Sequence, residues 1–139
     1  TDIVIAVTDS DETNMLACVI INALYSRPKT IARVRAIDYM KNPKLFAAIA
    51  PICAPINFDF PRQAFVLKDK PIWVFHGAKD MVVPVSSSEL MVEAIKAAGG
   101  NPKFTVDPEA EHDSWTKPYS DPEFYAWLLA QEQDLTKMN

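Results

Sequence analysis

Glycine is the residue that most restricts what this chain can fold into. The 139 residues contain three glycines, at Gly77, Gly99 and Gly100. Dinucleotide-binding G-x-G-x-x-G loops and Walker A loops need several glycines, because only glycine lets the backbone approach a phosphate closely. The G-x-S-x-G turn that presents a nucleophilic serine needs two. None of these patterns occurs, so the sequence excludes both phosphate-binding loops and an intact nucleophile elbow.

The charge balance argues against nucleic acid as a partner. There are 14 basic and 18 acidic residues, which give a net charge of −4, whereas nucleic-acid binders concentrate positive charge on one face. The basic stretch at residues 27–35 is interpreted as the solvated face of a helix. With 49% hydrophobic residues, a chain of this length builds a real core. We expect residues 1–139 to form a single domain or part of one.

The cysteines and the apolar segments leave the compartment open. Cys18 and Cys53 each lie in an apolar run, where free cysteine behaves as a small buried hydrophobic residue. No C-x-x-C pair of the kind that binds zinc is present. The longest largely apolar run, Met15–Tyr25, is too short to span a bilayer, and no signal-peptide pattern is visible at the start. We therefore expect no membrane partner and no metal, and the location, secreted or cytoplasmic, stays undetermined.

The first half of the chain gives mixed signals of secondary structure. Ile3–Val7 is a β-branched run that predicts a buried strand, whereas Met15–Tyr25 fits either a strand or a helix. Thr30–Lys41 has apolar residues near helical spacing and predicts an amphipathic helix. Leu45–Ile52 is almost continuously apolar and predicts a strand buried on both faces. Three prolines then indicate a loop that reaches about residue 66.

The second half alternates strands and helices with clear end signals. Pro71–Gly77 predicts a strand that runs into a glycine turn, and Lys103–Val106 predicts a second strand. Between them, a capping box over Ser86–Glu89 introduces a helix at Leu90–Ala98, which Gly99 ends.

A further helix follows the second of these strands. Asp121 and Pro122 are typical of an N-cap and a first helical position, and we expect this helix to reach about Gln133. Strand, helix, strand and helix in this order predict a right-handed parallel βαβ unit. The fold class expected for the chain is therefore α/β.

Two ionisable residues follow these strands at the points where the strands end. Asp80 lies in the loop after Pro71–Gly77, and His112 lies in the loop after Lys103–Val106. Loops that leave the carboxyl ends of neighbouring parallel strands meet at one edge of the sheet. A carboxylate and an imidazole delivered there can hydrogen-bond, so that the aspartate holds the histidine tautomer and stabilises the imidazolium. The simpler interpretation is that Asp80 caps its turn and His112 is a surface loop residue.

Three segments resemble one family. Residues 71–85, PIWVFHGAKDMVVPV, resemble the H-G-x-x-D-x-x-V-P segment of α/β-hydrolases, residues 107–116 resemble their histidine segment, and residues 42–53 resemble the stretch after their nucleophile helix. Together these segments are similar to esterases related to polyhydroxybutyrate depolymerases and to the predicted peptidase branch near prolyl oligopeptidases. The resemblance covers about residues 40–132. It implies a parallel-sheet α/β-hydrolase-like fold, of which the chain holds an incomplete, C-terminal portion.

The chemistry that this resemblance implies is ester hydrolysis through an acyl-enzyme. Asp80 takes the place of the acid, His112 takes the place of the base, and His76 matches a position that is usually structural. The implied substrate is a small-molecule or polymeric ester, and no cofactor is needed. Trp115 is a candidate for the rim of the substrate pocket. A zinc site is the weaker interpretation, because the hydrolase pattern already accounts for its four possible ligands, namely the two histidines, Asp80 and Asp113.

The nucleophile is the part of the pattern that the sequence lacks. Where the family has its serine, this chain has Lys29, in a segment with neither serine nor glycine. Ser26 is the closest serine, and it would occupy a strand–turn–helix corner if Met15–Tyr25 formed a strand. Leu24 and Pro28 stand where glycines normally relieve this strained turn. Ser26 is the candidate nucleophile, and a loop or capping serine is the alternative.

Other interpretations stay open beside an active esterase. The family needs more strands than the chain supplies, so a second copy or another chain completes the sheet, or a frame change before about residue 36 has replaced the family's own sequence. A degenerate, non-catalytic hydrolase portion that serves binding or assembly predicts no turnover and an exposed sheet edge. A flavodoxin-like binding domain that uses the loop with Asp9 and Asp11 is a further alternative, which nothing after residue 40 supports.

Overall fold

The computed structural model describes residues 3–25, 29–34, 46–56 and 59–132. The chain divides into two compact units, Thr1–Asn42 and Pro43–Asn139. The sequence suggested one domain or part of one, and the observed boundary falls close to residue 40, where the hydrolase resemblance begins. Each unit has its own pair of parallel strands.

The first unit is a strand–helix–strand arrangement. Strand β1 spans Ile3–Ala6, helix α1 spans Asp11–Leu24 and strand β2 spans Lys29–Ala32. The two strands pair in parallel over their full length, which requires a crossover connection, and α1 provides it. The helix begins after Ser10, whose Oγ accepts a hydrogen bond from the Thr13 amide at 3.1 Å. This is the bond expected of an N-cap serine.

A buried asparagine joins the parts of the first unit. Asn14 is fully buried, and its Oδ1 accepts bonds from the Thr8 amide at 2.7 Å and the Thr8 hydroxyl at 2.8 Å. Its Nδ2 donates to the carbonyl of Thr8 at 3.1 Å and to that of Arg33 at 2.8 Å. Because every hydrogen-bonding group of the side-chain amide is used, Asn14 holds the turn after β1 and the chain after β2 against α1.

The first unit is where the sequence-based prediction and the structure differ most. The ambiguous segment Met15–Tyr25 is helical up to Leu24, as part of α1. The helix predicted over Thr30–Lys41 is wrong at its start, because hydrogen bonding to β1 draws this β-branched stretch into β2. The rest of that predicted helix, from Arg35 onwards, lies outside the described residues. The basic stretch at residues 27–35 was predicted to be the face of a helix. Arg33 instead follows strand β2 and pairs with Asp9 at 3.2 Å.

The second unit is built around strand β3, Trp73–Gly77, all of whose residues are buried. On one side β3 pairs in parallel with strand β4, Lys103–Asp107. On its other side the segment makes parallel bridges to Ile49 and Ile52. A strand that has neighbouring chain on both edges and is buried on both faces needs an apolar sequence, which explains the continuous apolar run after Pro71.

Four helices accompany these strands in the described part of the second unit. They are α2 at Phe60–Leu67, α3 at Ser86–Ala97, α4 at Thr116–Ser120 and α5 at Pro122–Ala130. Helix α3 lies against both α2 and β3, and its crossover links the two parallel strands. In the described ranges, no helix has the length and apolar character needed to cross a membrane.

An aromatic cluster forms the core between β3 and α5. The rings of Trp73 and Phe75 stack with centroids 4.9 Å apart, and Phe124 meets Phe75 edge-to-face at 5.4 Å. Trp127 meets Trp73 edge-to-face at 5.4 Å. Such pairs add to the stabilisation from buried area alone, so the cluster fixes α5 against the strand that leads into the candidate site.

Several predicted elements of the second unit are confirmed, together with the α/β fold class. Strands β3 and β4 occur as predicted. Gly99 ends α3 in the left-handed region, at φ +95°, and the amides of Gly99 and Gly100 close the helix end on the carbonyls of Lys96 and Ile95, as in a Schellman motif. Asp121 caps α5 through a 2.8 Å bond from the Glu123 amide.

Other details of the prediction are wrong. Helix α3 begins at Ser86 itself, with Val85 as N-cap and no side-chain capping bond, so the capping box does not form. The loop expected up to residue 66 contains α2, which begins at Phe60 and accommodates Pro61 because proline suits the first turn of a helix. The strand expected over Leu45–Ile52 is reduced, among residues 46–56, to two isolated bridges. Helix α5 ends at Ala130 rather than near Gln133.

Candidate functional site

The turn after β3 and the loop after β4 are joined by backbone hydrogen bonds. The Ala78 amide donates to the Asp107 carbonyl at 2.8 Å, and the Lys79 amide donates to the Ala110 carbonyl at 3.0 Å. Gly77 lies at this junction, where a Cβ atom would collide with the backbone carbonyls of residues 110 and 111. Glycine is therefore needed here for close approach of two chain segments. The two loops that carry the predicted acid and base are held side by side.

Asp80 is a buried carboxylate that accepts hydrogen bonds at both oxygens. Its Oδ1 accepts from the amides of Val82 and Val83, each at 2.8 Å, and its Oδ2 lies 2.9 Å from His112 Nδ1. Burial by itself would raise the pKa of Asp80, but the bonds from His112 and the two amides outweigh burial and lower that pKa to about 2. The side chain is therefore ionised at neutral pH and fixed in orientation.

His112 is oriented by this carboxylate. Because an ionised carboxylate can only accept, Nδ1 of His112 carries the proton of the 2.9 Å bond, and Nε2 of the neutral ring keeps its lone pair. The side chain is 38% exposed, and within the described ranges no residue hydrogen-bonds to Nε2. An imidazole held in this tautomer, with an accessible Nε2, has the form required of a general base.

Trp115 lies beside the histidine, as the pocket-rim expectation requires. Its ring meets the His112 ring edge-to-face with centroids 5.7 Å apart, and the residue is 41% exposed. An exposed aromatic ring next to the imidazole is suited to contact the apolar part of a bound molecule.

His76 is fully enclosed behind the acid. Its Nε2 lies 2.8 Å from the Val83 carbonyl and 3.3 Å from Asp80 Oδ2, and its Nδ1 lies 2.6 Å from the hydroxyl of Ser88. The side chains of His76 and Asp80 have no exposed surface. The structure therefore brings together Asp80 and both histidines of the chain.

Cys53 supports the histidine loop from the side of the 46–56 segment. Its Sγ lies 2.6 Å from Ser114 Oγ and donates to the His112 carbonyl at 3.3 Å, and its backbone adopts φ 48°, which costs energy in a non-glycine residue. Burial raises the pKa of the Cys53 thiol, so the thiolate needed for nucleophilic attack is disfavoured. The sequence did not reveal this contact, although Cys53 lies in one of the segments that resemble the hydrolases.

One group of possible metal ligands occurs among the described residues. Cys53, Asp80 and His112 each place a ligand atom within 4.8 Å of the others. The sequence suggested His76 and Asp113 as the further ligands beside Asp80 and His112. The group in the structure contains Cys53 in place of these two residues. Zinc binds sulfur at about 2.3 Å and nitrogen at about 2.0 Å. The carboxylate and the imidazole already bond to each other, and the thiol bonds to Ser114, so a metal would have to displace these bonds.

The nucleophile expected at Ser26 has no support from the fold. Residue 26 itself lies outside the described residues, but α1 ends at Leu24 before it and β2 begins at Lys29 after it. The link is therefore helix to strand, and the strand–turn–helix corner expected for Ser26 is wrong. Among the described serines, Ser88 is buried against His76 and Ser114 is buried against Cys53, so neither is available to His112 Nε2.

A shallow cavity lies on the histidine loop, away from the paired side chains. It has a volume of about 360 Å³, and neither Asp80, His112 nor Trp115 lines it. Three acidic residues, Asp107, Glu109 and Asp113, contribute to its wall together with Lys117. This cavity is therefore not the binding pocket of the Asp80–His112 pair.

Comparison of the sequence with known proteins gives two different similarities. The profile of the TrkA-N domain matches residues 1–50. The Trk system potassium uptake protein TrkA of Halomonas elongata is 34% identical over 101 residues, which are 73% of this chain and 21% of that protein. The monoacylglycerol lipase of Mycolicibacterium smegmatis is 29% identical over 97 residues, 70% of this chain and 34% of that protein. The chain thus spans about a fifth to a third of these relatives.

Comparison with solved structures favours the hydrolases. The crystal structure of a thermostable esterase superposes with a TM-score of 0.60 at 29% sequence identity, and the match covers 84% of this chain and 36% of that one. The chain has an α/β fold that corresponds to part of an α/β-hydrolase. The first unit, Thr1–Asn42, lies within the residues that the TrkA-N profile matches.

Proposed function

We propose that this chain carries the acid and the base of a serine-type carboxylic ester hydrolase. The observation that carries the proposal is the 2.9 Å bond between Asp80 Oδ2 and His112 Nδ1, with Asp80 Oδ1 fixed by two amides. Similarity to an esterase of known structure and to a monoacylglycerol lipase supports this class of reaction. The substrate is a small-molecule or polymeric carboxylic ester, and the chemistry needs no cofactor.

In the proposed reaction His112 transfers one proton in each of the two halves. Its Nε2 takes the proton of a serine hydroxyl as the serine oxygen bonds to the ester carbonyl carbon. It then returns that proton to the leaving alcohol as the carbon–oxygen bond of the ester breaks. The same nitrogen then takes a proton from water as the water oxygen bonds to the acyl carbon, and it gives this proton to the serine oxygen as the serine–acyl bond breaks and the acid leaves. Asp80 holds the tautomer that makes this possible and stabilises the imidazolium that forms in each half.

The identity of the serine is the open part of the proposal. The sequence offers Ser26, although the strand–turn–helix corner expected for it does not occur, and a serine supplied by a second copy of this chain or by a complementing chain is the alternative. Trp115, beside the His112 ring, is proposed to line the rim over which the ester binds.

The test combines covalent labelling with turnover. The full chain is treated with a fluorophosphonate, which modifies activated serines, and its intact mass is recorded beside its rate of nitrophenyl-ester hydrolysis. We expect a single adduct and measurable turnover. His112→Gln should slow both by about 10²–10⁴-fold, the usual contribution of a general base, whereas Asp69→Asn, at an exposed position, should change neither.

Each outcome of this experiment has a definite meaning. An adduct that maps to Ser26 supports the candidate nucleophile, and an adduct on another serine keeps the ester hydrolase but removes Ser26 from it. If the wild-type chain is neither labelled nor active at any concentration up to that at which it self-associates, the proposal of an ester hydrolase whose serine comes from this chain or a second copy of it is wrong.

The competing proposal is a non-catalytic module for binding or assembly. The specific observation in its favour is the match of residues 1–50 to the TrkA-N domain, together with the similarity to a protein named for potassium uptake. This proposal predicts no labelling and association through an unpaired sheet edge. Sedimentation over a range of concentrations distinguishes a self-associating chain from a monomer.

A further inference from the structure

His76 lies in a buried chain of hydrogen-bonding groups that ends at the proposed base. From the inside outwards this chain consists of Ser88, His76, Asp80 and His112, joined by separations of 2.6, 3.3 and 2.9 Å. The first three residues are buried, and His112 reaches the surface. Asp80 Oδ2 thus faces an imidazole nitrogen on each side.

The partners of His76 determine which of its nitrogens carries hydrogen. The Val83 carbonyl, 2.8 Å from Nε2, can only accept, so Nε2 must be protonated. In the neutral ring Nδ1 is then an acceptor, and the hydroxyl of Ser88 at 2.6 Å is its donor. This assignment directs the Nε2–H to the Val83 carbonyl, and the positive end of that N–H dipole lies beside Asp80 Oδ2, which is 3.3 Å from Nε2.

We infer that His76 is a positioning residue for Asp80, and through Asp80 for the base His112. Its Nε2, 3.3 Å from Oδ2, places the positive end of an N–H dipole beside this oxygen, which favours the orientation in which Oδ2 accepts from His112 Nδ1. This inference rests on the proposed function for its catalytic meaning, but the geometry that it describes exists without substrate. The inference also explains why the fully buried His76 lies beside Asp80, whose other oxygen already accepts hydrogen bonds from two backbone amides.

The first measurement needs no substitution. In ¹⁵N-histidine-labelled protein at pH 8, where an ordinary imidazole is neutral, the ring nitrogens of His76 should show a protonated Nε2 and an unprotonated Nδ1. The opposite tautomer would overturn the inference, because Nδ1–H would then bond to Ser88 and no proton would face Asp80.

The second measurement asks whether His76 acts on His112. In His76→Phe, the solvent exchange of the His112 Nδ1–H should become about fivefold faster, because the N–H dipole beside Oδ2 no longer strengthens the Asp80–His112 bond. His76→Gln, whose amide can donate from a similar position, should restore most of the protection. Phe75→Leu, in the core cluster on the same strand, is the matched control for general loosening and should leave the exchange rate unchanged.

The design separates the inference from the proposed function. If His76→Phe unfolds because the Ser88 hydroxyl is left unpaired, the double variant with Ser88→Ala removes that hydroxyl and is measured instead. An unchanged exchange rate in the folded variant overturns the inference even if the chain hydrolyses esters. Faster exchange in an inactive chain supports the positioning role while the ester-hydrolase proposal fails. In an active chain, we expect kcat to fall with KM nearly unchanged.

Discussion

Asp80→Asn is the substitution whose consequences the structure predicts most fully. Both carboxylate oxygens accept hydrogen bonds, Oδ1 from two amides and Oδ2 from His112. Asparagine has the same shape, but its NH₂ group must face donors on one side or the other. The His112 ring is then expected to place its proton on Nε2, and the lone pair of the proposed base is lost. A wrong tautomer of this kind costs on the order of 10⁴-fold in kcat in the serine-protease triad.

The same substitution has a predicted effect on stability. The folded chain holds the pKa of Asp80 at about 2, below the ordinary value of 3.8. A carboxylate whose pKa is depressed on folding stabilises the folded state at pH values above its unfolded pKa. This contribution, on the order of 2 kcal/mol, is lost as the pH falls through about 4 towards 2. Asp80→Asn should therefore be less stable than the wild type at neutral pH. Its free energy of unfolding should also fall less than that of the wild type as the pH drops from about 4 towards 2.

Tryptophan fluorescence provides the assay, because all three tryptophans, Trp73, Trp115 and Trp127, belong to the second unit. Urea unfolding is followed at several pH values between 2 and 7 for the wild type, Asp80→Asn and the exposed control Asp69→Asn. The wild type and the control should lose stability together below pH 4, while Asp80→Asn changes less. If Asp80→Asn shows the same acid dependence as the wild type, the account of the carboxylate is refuted.

Three further substitutions test other parts of the molecule. Gly77→Ala should destabilise the second unit by about 1–3 kcal/mol, because its Cβ would overlap two backbone carbonyls of the histidine loop; an unchanged urea midpoint would contradict this. Asn14→Ala should weaken the first unit by about 1–2 kcal/mol, since the buried Asn14 amide loses its part-buried bonds to Thr8 and Arg33, and amide hydrogen exchange within α1 measures the loss. Trp115→Ala should raise KM for an aromatic ester several-fold with little change in kcat, and an equal loss in kcat would assign the ring another role.

The second half of the chain could be predicted because its local signals agree with one another. The apolar run of β3, the positive φ of Gly99 and the cap at Asp121 are each decided by residues close in sequence. The capping box at Ser86 failed because helix α3 begins one residue earlier than that pattern requires and uses Val85 as the N-cap.

The first half could not be predicted to the same extent. The run from Met15 has β-branched residues at its centre and alanines around it, so its period does not decide between strand and helix. Lys29–Ala32 has two β-branched residues, Thr30 and Ile31, but its apolar spacing also fits a helix, and pairing with β1 decides its conformation. Because the segment before Ser26 is a helix and the segment after it is a strand, the strand–turn–helix corner that a nucleophilic Ser26 would need does not exist.

The sequence by itself determined the α/β class of the fold and the meeting of Asp80 with His112. Parallel strands bring their following loops to a common edge, and the resemblance of residues 71–85 and 107–116 to hydrolase segments implied that Asp80 and His112 pair there. Only the tertiary structure decided what surrounds that pair. Cys53 and Ser114 are 61 residues apart, and the side chains of His76 and Ser88 are 12 apart on different elements. Contacts of this kind depend on how β3, α3 and the 46–56 segment pack, and no local pattern records them.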